Sequence, residues 1–212
     1  MEPHDITYAE SFGKFVAPIR PRSDPFEPNR WTDGFDPYDD ADMPPSCVRT
    51  LLETVDAAVP VLLAIPDERT TYRSAPGKWS PREIVGHLID SASNNHKRFV
   101  VARWRDDLVF DGYAQDDWVE AQRYQEGTWS DLVTLWAHFN RHIGRVMTSV
   151  PDEVRMRERT AHNLDRIAWR TVPADSPVTL DYFMNDYVGH LRHHLKQILG
   201  IEWDSRRDGH HG

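Results

Sequence analysis

Cysteine is almost absent from this chain of 212 residues, which contains only Cys47. A single cysteine excludes an intramolecular disulfide. Because Cys47 comes just before an apolar helical pattern, we expect a packed thiol and not a nucleophile. A chain without disulfides suits a reducing compartment, and its first residues lack the basic and apolar regions of a signal peptide. We therefore expect a cytoplasmic protein.

Long apolar runs, basic stripes and glycine-rich loops are also missing. No run of 18 apolar residues occurs, so we expect no transmembrane helix and no membrane partner. The net charge is −9, and no stripe of lysine and arginine is present to bind phosphates, so we expect no nucleic-acid partner. The sequence has no glycine-rich phosphate loop of the nucleotide-binding type, and no Ser/His/Asp pattern that would indicate a nucleophilic triad.

Regular periodicity is missing from residues 1–45, which hold eight of the 15 prolines and 10 acidic against 4 basic side chains. We predict an extended, poorly structured N-terminal arm without a core of its own. Its scattered aromatic residues leave two interpretations open: an arm that wraps the domain or a second subunit, and a mobile tail. The polar residues 204–212 are predicted to form a flexible tail.

Residues 46–203 contain four long stretches with apolar residues at helical spacing. The predicted helices cover residues 46–65, 80–104, 129–150 and 179–200, with a shorter helix at 115–125 and an irregular segment at 151–178. Ser80 and Glu83 form a capping-box pattern at the start of the second helix, and Pro60 should kink or end the first. The pattern predicts an all-α four-helix bundle, and its long connections leave a simple up-down order open.

His190 and His194 are four residues apart in the last long helix, one turn along the same face. Two imidazoles at this spacing can chelate one metal ion. An apolar stripe brackets them, which indicates that they face into the bundle. The chain has 11 histidines, so one such pair can also arise by chance, and His138 and His142 form a rival pair.

The inward face of the second long helix is too polar for an ordinary core, because it carries His87, Asn94, Asn95 and Arg98. Buried polar groups need partners, which a pocket or a metal ion would supply. The alternative is that the asparagines lie at the surface and His87 bonds a carbonyl. If this helix is an antiparallel neighbour of the last one, His87 is the natural third ligand. Three imidazole ligands are typical of catalytic metal sites, which keep an open position.

Residues 78–88, KWSPREIVGHL, and residues 187–194, YVGHLRHH, together resemble the DinB/YfiT-like superfamily, and the resemblance covers residues 45–200. It implies a four-helix bundle with a three-histidine divalent-metal site, whose ligands match His87, His190 and His194 here. Members of the superfamily include thiol-dependent transferases and isomerases that use bacillithiol, mycothiol or glutathione. Dimers are common in such families, so a homodimer is expected.

Further roles are assigned from position along the predicted helices. Asp186, four residues before His190, is expected to accept a hydrogen bond from a ligand N–H. Asp90, one turn past His87, is the candidate general base, and His193 points away from His194. The side chains expected to line a pocket and orient a small-molecule substrate are Asn94, Asn95, Arg98 and Tyr187.

These assignments predict a divalent-metal-binding protein that activates a thiol or water, with thiol-dependent S-transfer as the leading hypothesis. A metal-dependent hydrolase and a non-enzymatic metal- or ligand-binding stress-response bundle are the alternatives, and a plain bundle with coincidental histidines is the simplest one. Imidazole ligands suit zinc, nickel, copper and iron; we expect zinc or nickel, with a low-molecular-weight thiol as cosubstrate.

Overall fold

The computed structural model describes residues 44–201 and residue 203, and no β-strand occurs among them. Most of the predicted arm, residues 1–43, and the predicted tail, residues 204–212, lie outside the described residues. The helices are α1 (Ser46–Leu63), α2 (Asp67–Thr70), α3 (Pro81–Val101), α4 (Gln115–Gln122), α5 (Trp129–Thr148), α6 (Asp152–Arg155), α7 (Leu164–Ile167) and α8 (Leu180–Leu199).

The four long helices form a bundle in which α1 and α3 share both of their main neighbours. Each of the two packs against α5 and α8. Helices α1 and α3 are therefore diagonal to each other in the bundle and not adjacent. The long connection between them spans this diagonal. The predicted four-helix bundle is confirmed, and the chain does not follow a simple up-down order.

Helices α3 and α8 run antiparallel. The ring of Phe99, near the end of α3, meets the rings of Phe183 and Tyr187 in the first half of α8, each with centroids 5.8 Å apart. His87, near the start of α3, meets His190 in the second half of α8, with centroids 5.1 Å apart. The two contacts lie at opposite ends of the pair, which fixes both direction and register.

The predicted start of α3 is confirmed. The Ser80 hydroxyl accepts from the Glu83 backbone N–H (3.3 Å), and the Glu83 carboxylate accepts from the Ser80 N–H (2.8 Å). Arg82 follows directly and is buried, and it donates to the carbonyl oxygens of Gln125 (3.0 Å) and Gly127 (2.8 Å). These bonds tie the connection between α4 and α5 to the beginning of α3.

Two helix ends differ from the prediction for local reasons. Pro60 lies inside α1, which ends at Leu63, three residues later. Helix α4 ends at Gln122 because Arg123 adopts a left-handed conformation (φ 52°), and a single 3₁₀ turn, Tyr124–Glu126, follows.

Cys47 is a packed thiol as expected, since it is buried and burial raises its pKa to about 12.

Among the described residues, no helix has the length and apolarity needed to cross a membrane. The expected homodimer and cytoplasmic location stay predictions.

Gly86 allows a close contact between α3 and the 3₁₀ turn. A Cβ atom at this position would lie 2.1 Å from Cδ2 and 2.2 Å from Cγ of Tyr124. Both atoms belong to the base of a ring whose hydroxyl donates to Asp90 (2.7 Å), so the ring has little freedom to move away.

Gly86→Ala should therefore lower the free energy of unfolding by about 1–3 kcal/mol, the usual cost of overpacking. Ser93→Ala, at an exposed position of the same helix, is the control and should change it by less than about 0.5 kcal/mol. Urea unfolding followed by circular dichroism measures both, and equal midpoints for the two variants would contradict the close contact.

Candidate metal centre and cavity

Three histidines from two helices meet at one point. His87 of α3 and His190 and His194 of α8 each offer one ring nitrogen, and these nitrogens all lie within 4.8 Å of one another. The three ring centroids are 4.6 to 5.1 Å apart, and His87 is fully buried. Among the described residues, this is the one group of three or more His, Cys, Asp or Glu side chains close enough to hold a metal ion.

The separation between the ring nitrogens of His87 and His190 fits two ligands of a single metal ion. Nε2 of His87 and Nε2 of His190 are 3.2 Å apart. Two nitrogen ligands at 2.0–2.1 Å from a tetrahedral zinc ion would be separated by about 3.3 Å. The three residues therefore supply the donor type that a divalent ion requires, and the His87–His190 pair has the separation expected of two of its ligands.

The outer nitrogens of the α8 histidines have partners that orient the rings. His194 Nδ1 lies 3.0 Å from Oε1 of Gln197. An amide oxygen can only accept, so His194 carries its proton on Nδ1, and the lone pair of Nε2 is left for a metal. The Ser91 hydroxyl lies 3.4 Å from Nδ1 of His190, and Asn95 donates to that hydroxyl (3.4 Å). His87 Nδ1 is buried without a hydrogen-bond partner among the described residues.

Burial keeps the three imidazoles neutral. It lowers the pKa of His87 to about 3, with a smaller contribution from His194. Burial also lowers the pKa of His190 well below its usual value, and the neighbouring histidines lower it further. Burial lowers the pKa of His194 as well, although its hydrogen bond to Gln197 opposes the shift. Neutral imidazole is the form that binds metal ions.

Aromatic rings cover the histidine cluster. The Trp79 ring lies 4.8 Å from His87 and 6.3 Å from His194, centroid to centroid. The Tyr113 ring stacks against His87 from another direction at 6.4 Å. These rings restrict the approach of water to His87, which accounts for its complete burial.

A cavity of about 290 Å³ lies next to the cluster. It is formed by α3, α8, the segment before α4 and the segment around α7. Its walls combine aromatic, amide and charged side chains, and the lining residues are Ser91, Asn95, Arg98, Gly112, Tyr113, Gln115, Arg166, Ile167, Ala168, Trp169, Phe183, Asp186, Tyr187, His190, His193 and His194.

The structure brings three of the four expected pocket residues into this cavity. Asn95, Arg98 and Tyr187 line it. Asn94 does not, since it is only partly buried and its amide donates to the Asp90 carbonyl one turn back (2.9 Å). The Tyr187 hydroxyl donates to Asn140 of α5 (2.6 Å), so the ring face, not the hydroxyl, is what Tyr187 offers to a ligand.

Both carboxylates take roles other than the expected ones. Asp186 accepts from the backbone N–H groups of Trp169 (2.9 Å) and Arg170 (2.7 Å), so it holds the segment after α7 and does not accept from His190. Asp90 does not line the cavity. It is buried against α4 and the 3₁₀ turn, where Oδ1 accepts from Tyr124 and Gln122, while Oδ2 has no hydrogen-bond partner among the described residues; its role as general base stays a prediction that this position outside the cavity does not support.

The rival pair lies elsewhere. His138 and His142 are both exposed on α5, and neither lines the cavity. His142 pairs instead with His96 of α3, with their Nε2 atoms 3.2 Å apart. His193 lies beside the cluster and accepts from the Gln197 amide (3.1 Å).

Sequence reasoning missed the cavity wall supplied by the irregular segment. Trp169 and Arg166 come from residues 151–178, where no periodicity marks an inward face. The one available signal was Gly189, on the face of α8 that Trp169 covers. A Cβ atom at Gly189 would lie 2.9 Å from Cζ3 of Trp169, so the glycine permits the ring to lie against the helix.

Comparison with known proteins agrees with this arrangement. A family model described as the DinB superfamily matches residues 50–198. A protein of Oceanobacillus iheyensis named "putative metal-dependent hydrolase" is 25% identical over 132 residues, which cover 62% of this chain and 69% of the relative. A protein of Bacillus mycoides with the same name is 24% identical over 132 residues, with 62% and 68% covered.

The solved structure of YfiT from Bacillus subtilis has a similar fold, with a TM-score of 0.60 at 20% identity, over 76% of this chain and 85% of that one. YfiT is described as a probable metal-dependent hydrolase with an unusual four-helix bundle topology. With the family model covering most of the bundle, including all three histidines, the chain belongs to the DinB superfamily.

Proposed function

We propose that this protein binds a divalent metal ion through His87, His190 and His194 and is a metal-dependent hydrolase. The observation that carries the proposal is the meeting of three neutral imidazoles beside a cavity large enough for a small molecule. The names of the two bacterial relatives and the description of YfiT support the same class of activity. Zinc or nickel fits the three nitrogen donors.

A divalent ion in such a site lowers the pKa of a coordinated water or thiol and polarises a carbonyl group. The chain itself binds and orients. Gln197 and Ser91 fix the rings of His194 and His190, and Trp79 restricts water on the far side of His87. The apolar part of a substrate can pack on Trp169 and Phe183 in the cavity wall.

Thiol-dependent S-transfer is the second candidate, and one observation favours it. Asp186 is the one carboxylate among the described residues that line the cavity, and both of its oxygens accept from backbone amides. A hydrolase usually employs a general base near the attacking water, whereas a thiol with a pKa lowered by a metal needs none. The absence of a free carboxylate from the described lining therefore favours a low-molecular-weight thiol as cosubstrate.

Protein purified without an affinity tag should contain about one equivalent of zinc or nickel, and His87→Ala should contain little, because three protein ligands are needed for tight binding. Elemental analysis measures both. His142→Ala is the matched control, since it removes a histidine from the exposed pair with His96 and should keep the metal. Metal retained by His87→Ala would move the site away from the cluster.

Gln197→Ala should weaken metal affinity by roughly 10- to 100-fold, because partners that orient ligand histidines contribute on this scale. The competition of the protein with a chromophoric chelator gives the affinity. The expected order is wild type and His142→Ala together, then Gln197→Ala, then His87→Ala. An affinity for Gln197→Ala equal to that of the wild type would show that the amide does not orient His194.

A panel of esters and amides should be hydrolysed by the metal-loaded protein, and a chelator should abolish the turnover until metal is restored. The same protein incubated with a chlorinated aromatic and several thiols tests S-transfer. His194→Ala should lose whichever activity is found by at least about 100-fold, since a ligand is lost. Turnover that survives chelation, or in His194→Ala, would overturn the metal mechanism.

A further inference from the structure

Arg98 places a buried positive charge in the cavity wall without a carboxylate partner. The side chain is 6% exposed, and no Asp or Glu oxygen among the described residues forms an ion pair with it. Its hydrogen bonds go to two neutral acceptors, the Asp111 carbonyl oxygen (2.6 Å) and Oδ1 of Asn95 (3.4 Å). A guanidinium has five N–H donors, and these two hydrogen bonds use one donor each of Nη1 and Nη2.

Two other arginines of the bundle have the carboxylate partners that Arg98 lacks. Arg82 forms an ion pair with Asp67, in addition to its bonds to carbonyl oxygens. Arg155, which is only partly buried, pairs with both Asp152 and Asp181. Arg159 resembles Arg98 in bonding only to carbonyl oxygens, but it does not line the cavity.

No carboxylate in the described cavity lining forms an ion pair with Arg98, and the carboxylate of Asp111 acts on it only at longer range. Asp186 is the only other buried charged residue in the described lining, and its two oxygens accept from the Trp169 and Arg170 amides. Arg166 also lines the cavity, but it is exposed and forms an ion pair with the carboxylate of Asp165, 3.7 Å away. Because a buried charge is costly unless it is paired, the cavity is suited to a ligand that brings the missing negative charge.

Arg98 is also placed at a useful distance from the histidines. Ser91 lies beside His190, and Arg98 is seven residues further along α3, which corresponds to about 10 Å along the helix axis. A ligand that reaches both the cluster and the guanidinium therefore carries its negative charge at one end and its reacting group at the other. A volume near 290 Å³ is at the lower end of the range for ligand pockets, about 300–1,000 Å³.

We infer that the substrate is a small anion, whose carboxylate or phosphate group binds Arg98 while its reacting group lies at the three histidines. This inference rests on the proposed function for the reaction, but the anion site itself can be tested by binding alone. An arginine fork can bind either group through two parallel N–H···O bonds, with the Phe183 ring behind the guanidinium, 6.0 Å away.

Isothermal titration calorimetry with benzoate, phenyl phosphate and the neutral benzamide tests the site in the metal-loaded protein. We expect one or both anions to bind at least about tenfold more tightly than benzamide, and Arg98→Gln to remove this preference, since charge-assisted bonds contribute on this scale. Arg98→Lys should retain part of it, and the matched buried variant Arg159→Lys should retain all of it. The two anions distinguish a carboxylate site from a phosphate site.

Equal binding of anions and benzamide by the wild type would overturn the inference without any variant. Anion binding that is unchanged in a folded Arg98→Gln would also overturn it, because the anion would then bind the metal alone. If Arg98→Gln does not fold, the comparison of Arg98→Lys with Arg159→Lys decides, and equal anion affinities in these two would contradict the site.

Turnover separates this inference from the proposed function. Preference for neutral esters and amides over anionic ones, with activity that requires metal, would leave the function intact and remove the anion site. Anion binding that depends on Arg98, in a protein without metal-dependent turnover, would support the anion site and contradict the proposed function.

Discussion

Three imidazoles can meet at one point only while α3 and α8 keep a fixed register. His87 comes from one helix and the other two histidines from its antiparallel neighbour, so a slip of one helical turn, about 5.4 Å, would separate them. The rings of Phe99, Phe183 and Tyr187 oppose such a slip at the far end of the pair. The packing that keeps α3 and α8 in register therefore also brings the three histidines together.

Burial also lowers the pKa of the same three histidines. Each imidazole therefore stays neutral and can donate a ring-nitrogen lone pair to a metal ion. Several buried polar side chains elsewhere in the bundle have protein partners: Oδ1 of Asp90 accepts from Tyr124, and Arg82 donates to carbonyl oxygens and Asp67. Arg98, in the cavity wall, has two neutral acceptors and no carboxylate partner among the described residues. In the described part of the chain, buried side-chain atoms without a hydrogen-bond partner also occur away from the cavity lining, at Oδ2 of Asp90, Nε1 of Trp136 and Nε of Arg159.

The histidine cluster and the bundle were accessible from the sequence because both follow helical periodicity. His190 and His194 share a face at four-residue spacing, and the capping box at Ser80 fixes where α3 begins. The contacts of Asp186 and Asp90 could not be predicted, since their partners lie in the segment after α7 and in α4 and the 3₁₀ turn, far from them along the sequence. A helical pattern indicates which way a side chain points, whereas the approach of Trp169 or Tyr124 depends on long-range packing that no local spacing encodes.

At Gly189 the missing methyl group determines how closely the wall of the cavity can approach α8. Trp169 lies against the bare backbone there, and it lines both the cavity and a neighbouring groove on the outer side of the helix. A related chain with a larger residue at this position would have to hold its aromatic wall further out and would enclose a wider space. Within this fold, the size of the molecules admitted can thus change through a residue that never touches them, while the three histidines stay where they are.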